Sequence, residues 1–248
     1  MKKVTTAILV AAATLSLASL AFAQNPQLNE IVRNDVSTDD HEFVEICAAP
    51  GTDLTGYSIV EIEGDGSSNT GTIDRIHNMS GIVGPSGFFT VTRHPANITC
   101  ADETWVGGND MENGGATFLL VLNMTGVVGQ DIDANDDGVA DGPIGTVVDA
   151  VGMGRPSQGD LFGYYGAVQV GPDTGDDGTA DFDPAAVARC EDCTGVWNMI
   201  CLNGGTEPTA PGCDTNVYLS YASPCSGNLC GPVAVDEQSW GETKALYK

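Results

Sequence analysis

The chain has 248 residues, of which 34 are Asp or Glu and only 9 are Lys or Arg, giving a net charge of −25. An acidic excess of this size repels phosphate backbones, and the few basic residues are scattered, so direct nucleic-acid binding is not expected. With 42% hydrophobic and 6% aromatic residues and 32 glycines, the composition excludes a wholly disordered chain and favours a loop-rich, mostly β globular protein.

Met1, Lys2 and Lys3 precede an apolar stretch from Val4 to Leu20, which ends in Ala21-Phe22-Ala23. This is the charged, apolar and A-x-A sequence of a cleaved signal peptide, so residues 1–23 are expected to be removed and the mature chain to begin at Gln24. A membrane anchor is the rival reading, but Thr and Ser interrupt the stretch and the cleavage pattern follows it directly. No later run is long and apolar enough to span a bilayer, so the expected location is secreted, periplasmic or cell-surface.

All eight cysteines lie beyond this leader: Cys47, Cys100, Cys190, Cys193, Cys201, Cys213, Cys225 and Cys230. An even count in an exported chain predicts disulfides, though not their connectivity. Zinc or a redox-active pair at Cys190-Glu191-Asp192-Cys193 is the weaker reading. Zinc favours a second close pair joined to the first, and the acidic insert raises a thiol pKa rather than lowering it.

From residue 27 onward, short β-type runs alternate with Gly, Pro, Asn and Asp clusters, at residues 28–31, 42–47, 57–62, 72–76, 88–92, 117–122, 146–151 and 167–170. The 117–122 run is apolar on both faces, Phe118, Leu120 and Leu122 opposite Leu119 and Val121, which predicts a central strand. Two packed antiparallel sheets fit the pattern. Residues 184–189, with Pro184 leading an Ala-rich stretch, are expected to form a short helix. Residues 217–248 read as a Cys-tied tail that serves either as a cap or for docking.

Several of these runs carry a resemblance: Asn29-Glu30-Ile31, Phe43-Val44-Glu45-Ile46, Asp53-Leu54-Thr55-Gly56-Tyr57-Ser58-Ile59, Gly87-Phe88-Phe89-Thr90-Val91-Thr92-Arg93, and Asn113-Gly114-Gly115 before Thr117-Phe118-Leu119-Leu120. Val147-Val148-Asp149-Ala150-Val151-Gly152 and Thr209-Ala210-Pro211-Gly212 continue it. In this order they resemble the lamin-tail domain of secreted bacterial proteins. The resemblance implies an immunoglobulin-like antiparallel β-sandwich over residues 24–216, with long Gly/Asp-rich loops and a Cys-rich C-terminal part. A fold of this kind generally hosts binding rather than catalysis. The chain departs from the pattern in its length after residue 152 and in its cysteines.

The most informative stretch is Asp131-Ile132-Asp133-Ala134-Asn135-Asp136-Asp137-Gly138-Val139-Ala140-Asp141. Asp133, Asn135, Asp137 and Gly138 reproduce the D-x-[DN]-x-[DN]-G opening of a calcium loop. A tightly wound loop turns alternate side chains inward, and the Gly permits the bend that lets the Val139 carbonyl face the ion. Asp141 can add an oxygen, and Asp131 and Asp149 are the nearest further candidates. The twelfth position is Ile144 rather than a bidentate Glu, so the loop resembles thrombospondin or dockerin loops rather than an EF-hand. The competing reading is a solvated acidic turn, against which stands the mutual repulsion of its carboxylates in a compact loop. Forty residues on, Asp173, Asp177, Gly178 and Asp181 repeat the spacing, but Gly175 replaces the Asn135 ligand. That copy is either a weaker calcium site, helped by Asp176 or Asp183, or an acidic turn.

No catalytic set is apparent. There is no G-x-S-x-G, and His41-Glu42-Phe43-Val44-Glu45 lacks the second His of a zinc protease helix. His41 is expected at the surface, and His77 and His94 exposed or hydrogen-bonded at strand ends. Glu61 and Glu63 read as a wet strand face rather than a glycosidase pair. Trp105, Trp197 and Trp240 suit either a sugar platform or a core. The leading expectation is a non-enzymatic, Ca2+-stabilised binding or adhesion module whose ligand lies at the surface or outside the cell. A secreted metal-dependent hydrolase, phosphoesterase-like, or an accessory module of a cell-envelope assembly are the alternatives.

Overall fold

The computed structural model describes residues 25–34, 39–66, 69–106, 110–174, 181–200 and 222–228. The expected leader, Cys201, Cys213, Cys230, Trp240 and the Thr209-Ala210-Pro211-Gly212 motif lie outside them. Eight strands form the first part of the chain: β1 (Gln27–Val32), β2 (Phe43–Cys47), β3 (Tyr57–Glu63), β4 (Ile73–Asn78), β5 (Phe88–Thr92), β6 (Glu103–Thr104), β7 (Ala116–Leu122) and β8 (Thr146–Met153). They are followed by β9 (Val168–Val170), β10 (Asp173–Thr174), β11 (Asp181–Phe182), β12 (Ala186–Cys190) and β13 (Val196–Met199).

Two sheets, in the orders β13-β12-β1-β2-β5-β6 and β4-β3-β7-β8-β9, pack as a β-sandwich. Pairing is antiparallel except at two edges, where β6 runs parallel to β5 and β9 parallel to β8. Leu28, Ile31, Val44, Ile46, Phe89 and Val91 of the first sheet meet Ile59, Phe118, Leu120, Val151 and Met153 of the second in one buried cluster. Each side chain fully buried there contributes roughly 1.5–3 kcal/mol.

The two-faced pattern of 117–122 has its predicted consequence. β7 lies in the middle of its sheet, and Leu119 and Val121 join Val60, Ile62 and Ile73 in a second buried cluster on the outer face. Ile132, Ile144 and Tyr164 complete that cluster, so the segment carrying the acidic loop covers the sheet. The outer face of the first sheet is covered in turn. Val32, Phe43, Ala186 and Ala188 pack against Ile98 and Ile200, with Ala101 and Ala222 at the margin.

The short helix expected at 184–189 is instead strand β12, paired antiparallel to β1 through Glu30–Ala188, Ile31–Val187 and Val32–Ala186. Strand geometry sends Val187 into the inter-sheet core and Ala186 and Ala188 to the outer cluster. A helix would leave the edge of β1 unpaired, and the tertiary gain overrides the local preference of Ala.

Disulfides join Cys47 to Cys193 and Cys100 to Cys225, with Cα–Cα separations of 5.5 and 6.2 Å. Cys190 is also disulfide-bonded, and among the described residues no cysteine is free. The two sulfurs of the Cys190/Cys193 motif thus serve different crosslinks. Among the described residues, no helix is long and apolar enough to cross a membrane.

Candidate metal sites

The acidic loop joins β7 to β8 and is stapled to the edge strand β4. Ile73 donates its N–H to the Gln130 carbonyl, Ile132 donates to that of Gly71, and Thr125 donates to that of Ile144. The apolar side chains of Ile132 and Ile144, sunk into the outer cluster, anchor the polar stretch between them at both ends. Gly71 has φ +79°, and a Cβ there would lie 2.8 Å from the Asp133 Cβ and 3.2 Å from the Tyr164 hydroxyl oxygen. Only glycine admits the loop this close to the sheet. Gly138, with φ +82°, takes the left-handed bend that the motif requires.

Asp133 is fully buried at the loop's centre. Its Oδ1 accepts the Asp137 N–H at 3.1 Å, and its Oδ2 accepts the Gly138 N–H at 2.8 Å and the Tyr164 hydroxyl at 3.0 Å. Around it, Asp131 accepts the N–H of Asp133, Asp137 accepts that of Val139, and Asp141 accepts that of Ala134. Asn135 donates its amide to Asp137 Oδ2 at 2.9 Å. Asp131, Asp133, Asp137 and Asp141 make no ion pair among the described residues. Burial, followed by the hydrogen bond to Asp133 and the charges of Asp133, Asp136 and Asp131, drives the Tyr164 pKa far up and keeps the hydroxyl a donor. Tyr164→Phe should therefore cost about 1.5–3 kcal/mol, the range for a hydrogen bond to a charged group, in a denaturant titration.

Two of the expected helpers are engaged elsewhere. Asp149 accepts Arg189 Nη2 at 2.8 and 2.9 Å and the Leu28 N–H at 2.9 Å, so it faces the first sheet. Asp183 pairs with Arg155 at 2.7 Å. The second acidic copy sits on a two-stranded ribbon: Asp173 in β10 pairs with Phe182, and Thr174 with Asp181 of β11. Asp176, Asp177 and Gly178 lie outside the described residues.

Sequence reasoning missed two clusters whose ligand atoms lie within 4.8 Å of one another. One is Glu63, Asp74 and Glu112; the other is Glu42, His94 and Asp110. Local spacing gives no signal for either, since each draws on separate parts of the chain. Glu61 and Glu63, expected on a wet face, are buried. Glu61 accepts Arg75 Nη1 at 2.7 Å and the Glu112 N–H at 2.7 Å, while Glu63 accepts the Asp65 N–H. The loops joining the two sheets close over this end of β3, which its alternation could not reveal. His41 is exposed and pairs with Asp40, whereas His77 is buried, 3.0 Å from Glu103 and packed against Trp105 with ring centroids 5.5 Å apart and the rings tilted by 41°. Trp105 and Trp197 belong to the core, the latter beneath the Arg189 guanidinium at 4.6 Å.

Compared with known proteins, the chain matches no family model and none of the curated sequences.

Proposed function

We propose that this protein is an exported, non-enzymatic binding or adhesion module, a lamin-tail-type β-sandwich whose Asp131–Asp141 insertion closes around a calcium ion. One observation carries the reading: Asp133 is fully buried in an acidic loop, with no cationic side chain among the described residues paired to Asp131, Asp133, Asp137 or Asp141. A buried charge without a counter-charge is strongly unfavourable, and a hard divalent cation resolves it. Each carboxylate oxygen has two acceptor directions. The main-chain amides use only some of these, so oxygens of Asp131, Asp133, Asp137 and Asp141, the Asn135 amide oxygen and the Val139 carbonyl remain to be drawn in around the ion, the carboxylates not being gathered within 4.8 Å of one another as the ligand atoms of the other two clusters are. A loop wound this closely suits a structural ion better than a catalytic ion with an open position. The disulfide-bonded cysteines support an oxidising compartment.

Calcium should raise the stability of the full chain by RT ln(1 + [L]/Kd), about 3 kcal/mol at a hundredfold excess over Kd. For a chain of this size that is roughly 6–12 °C in melting temperature. Asp137→Ala should remove most of the rise and Asp177→Ala little of it, because Gly175 deprives the second loop of one ligand. Equal effects of the two variants would show the missing oxygen to be replaced there. Identical melting of the wild type in calcium and in chelator would refute the calcium reading.

A further inference from the structure

At the end of the β2–β5 ladder, one residue before β2, lies Glu42. The ladder ends at Phe43–Thr92, so Glu42 comes opposite Arg93 and His94, with the Arg93 N–H reaching the Glu42 carbonyl. The Thr92 hydroxyl donates to that same carbonyl at 2.7 Å and accepts the His94 N–H at 3.0 Å, which fixes the backbone on both sides. The segment leading into β7 brings Asp110 over this pair, and the Met111 N–H donates to Glu42 Oε1 at 2.7 Å.

The other oxygen, Glu42 Oε2, is buried without a hydrogen bond, and so is His94 Nε2. They face each other at 3.8 Å, and His94 Nε2 lies 3.7 Å from Asp110 Oδ1. Those gaps are too wide for hydrogen bonds. They are close to the spacing of about 3.4 Å that bonds of about 2.1 Å impose between tetrahedral ligands. We infer that Glu42, His94 and Asp110 form a second, distinct metal site that takes a divalent first-row transition ion such as Zn2+.

The donor set decides the class. An imidazole nitrogen with two carboxylate oxygens suits zinc and its neighbours, whereas calcium and magnesium take oxygens alone. The Met111 amide orients Glu42 as an outer-shell partner does in metal sites. Three protein ligands leave a fourth position, and it opens outward, because the Asp110 side chain is 53% exposed and that of His94 26%. Arg93 Nε stands 3.6 Å from Glu42 Oε2 and 3.4 Å from Asp110 Oδ1, as the cation with which the metal competes.

The test is zinc binding by the full, disulfide-intact chain, with excess calcium present to fill the acidic loops. Wild type should retain one zinc ion after dialysis, and His94→Ala and Asp110→Asn should each bind it at least tenfold more weakly. His41→Ala, at an exposed histidine outside the cluster, should bind as wild type does. Arg93→Gln should bind more tightly. X-ray absorption of the wild-type zinc complex, which requires no variant to fold, should show an imidazole nitrogen and carboxylate oxygens around the ion. A zinc shell without imidazole, equal retention by wild type and His94→Ala, or no retention beyond adventitious surface binding would each overturn the site and leave an Arg- and His-linked ion pair or a bridging water in its place.

Discussion

In chelator, the unfolding free energy of this protein should fall as pH rises from about 5 to about 8, the reverse of the usual acid sensitivity of a carboxylate-rich chain. Burial raises the pKa of several glutamates, among them Glu42 to about 8 and Glu63 to about 7, and two more lie side by side under the cover of the first sheet. Burial pushes the pKa of Glu30 up to about 7, opposed by the hydrogen bonds from Ser223 and reinforced by Asp192. It pushes Glu45 up to about 8, where the Asn29 hydrogen bond lowers it and the Glu30 charge raises it. Ser223 donates to Glu30 at 3.0 Å from both N–H and hydroxyl, while Asn29, Thr90 and the Cys225 N–H surround Glu45. In the unfolded chain both groups titrate near 4.5.

Between those values the native state holds more protons than the unfolded one, so stability has a negative slope in pH. The contribution is complete below about 4.5 and is lost as pH passes through about 7 and 8. At about 1.4 kcal/mol per pH unit of separation between the two states, Glu30 and Glu45 together amount to on the order of 8 kcal/mol, less the share of the Glu45 shift that comes from the Glu30 charge. Chemical denaturation at a series of pH values measures this directly. Glu45→Gln, which is neutral at every pH, should flatten the slope and be more stable than wild type at pH 8. A wild-type profile that is level or rises from pH 5 to 8 would refute the prediction.

Neither glutamate could be recognised as buried from the sequence, because Glu30 and Glu45 occupy the places where an alternating strand shows its solvent side. Their cover comes from residues 94–102 and 222–228, far away in the chain. By contrast, the central position of β7 was legible, since Leu119 and Val121 opposite Phe118 and Leu120 leave no polar face to expose. The acidic loop stood out for a related reason: the spacing of its acidic residues is local, whereas Glu42, His94 and Asp110 meet only through the sheet register. The Ala-rich β12 misled because its strand character comes from the edge of β1 and not from its own residues.

The largest loss from a local change should follow removal of the Cys47–Cys193 crosslink. Cys47 ends β2, fully buried between its Cα partners Gln27 and Phe88, and Cys193 lies in the turn between β12 and β13. That turn is strained. Glu191 and Cys193 have φ of +71° and +68°, a region that non-glycine residues adopt at a cost of about 1–2 kcal/mol each. The disulfide and the Asn29 side chain, which accepts the Cys193 N–H at 2.9 Å, hold it there. The bond spans 146 residues, for which chain entropy alone gives about 4–5 kcal/mol. The overlapping Cys100–Cys225 bond shortens the free path in the unfolded chain, but each halving changes the term by only about 0.6 kcal/mol. The double variant Cys47→Ala/Cys193→Ala should therefore lose about 4 kcal/mol, roughly 8–16 °C in melting temperature. It should keep the pH slope, because the cover over Glu30 and Glu45 stays tied down through Cys225. Cys100→Ala/Cys225→Ala should also be destabilised but should flatten that slope, since the segment donating to both glutamates is then released to water. Two double variants within 1 kcal/mol of wild type, or both with the wild-type slope, would mean that Asn29, Asp192 and Asn228 hold the turn and the cover without the sulfur bridges.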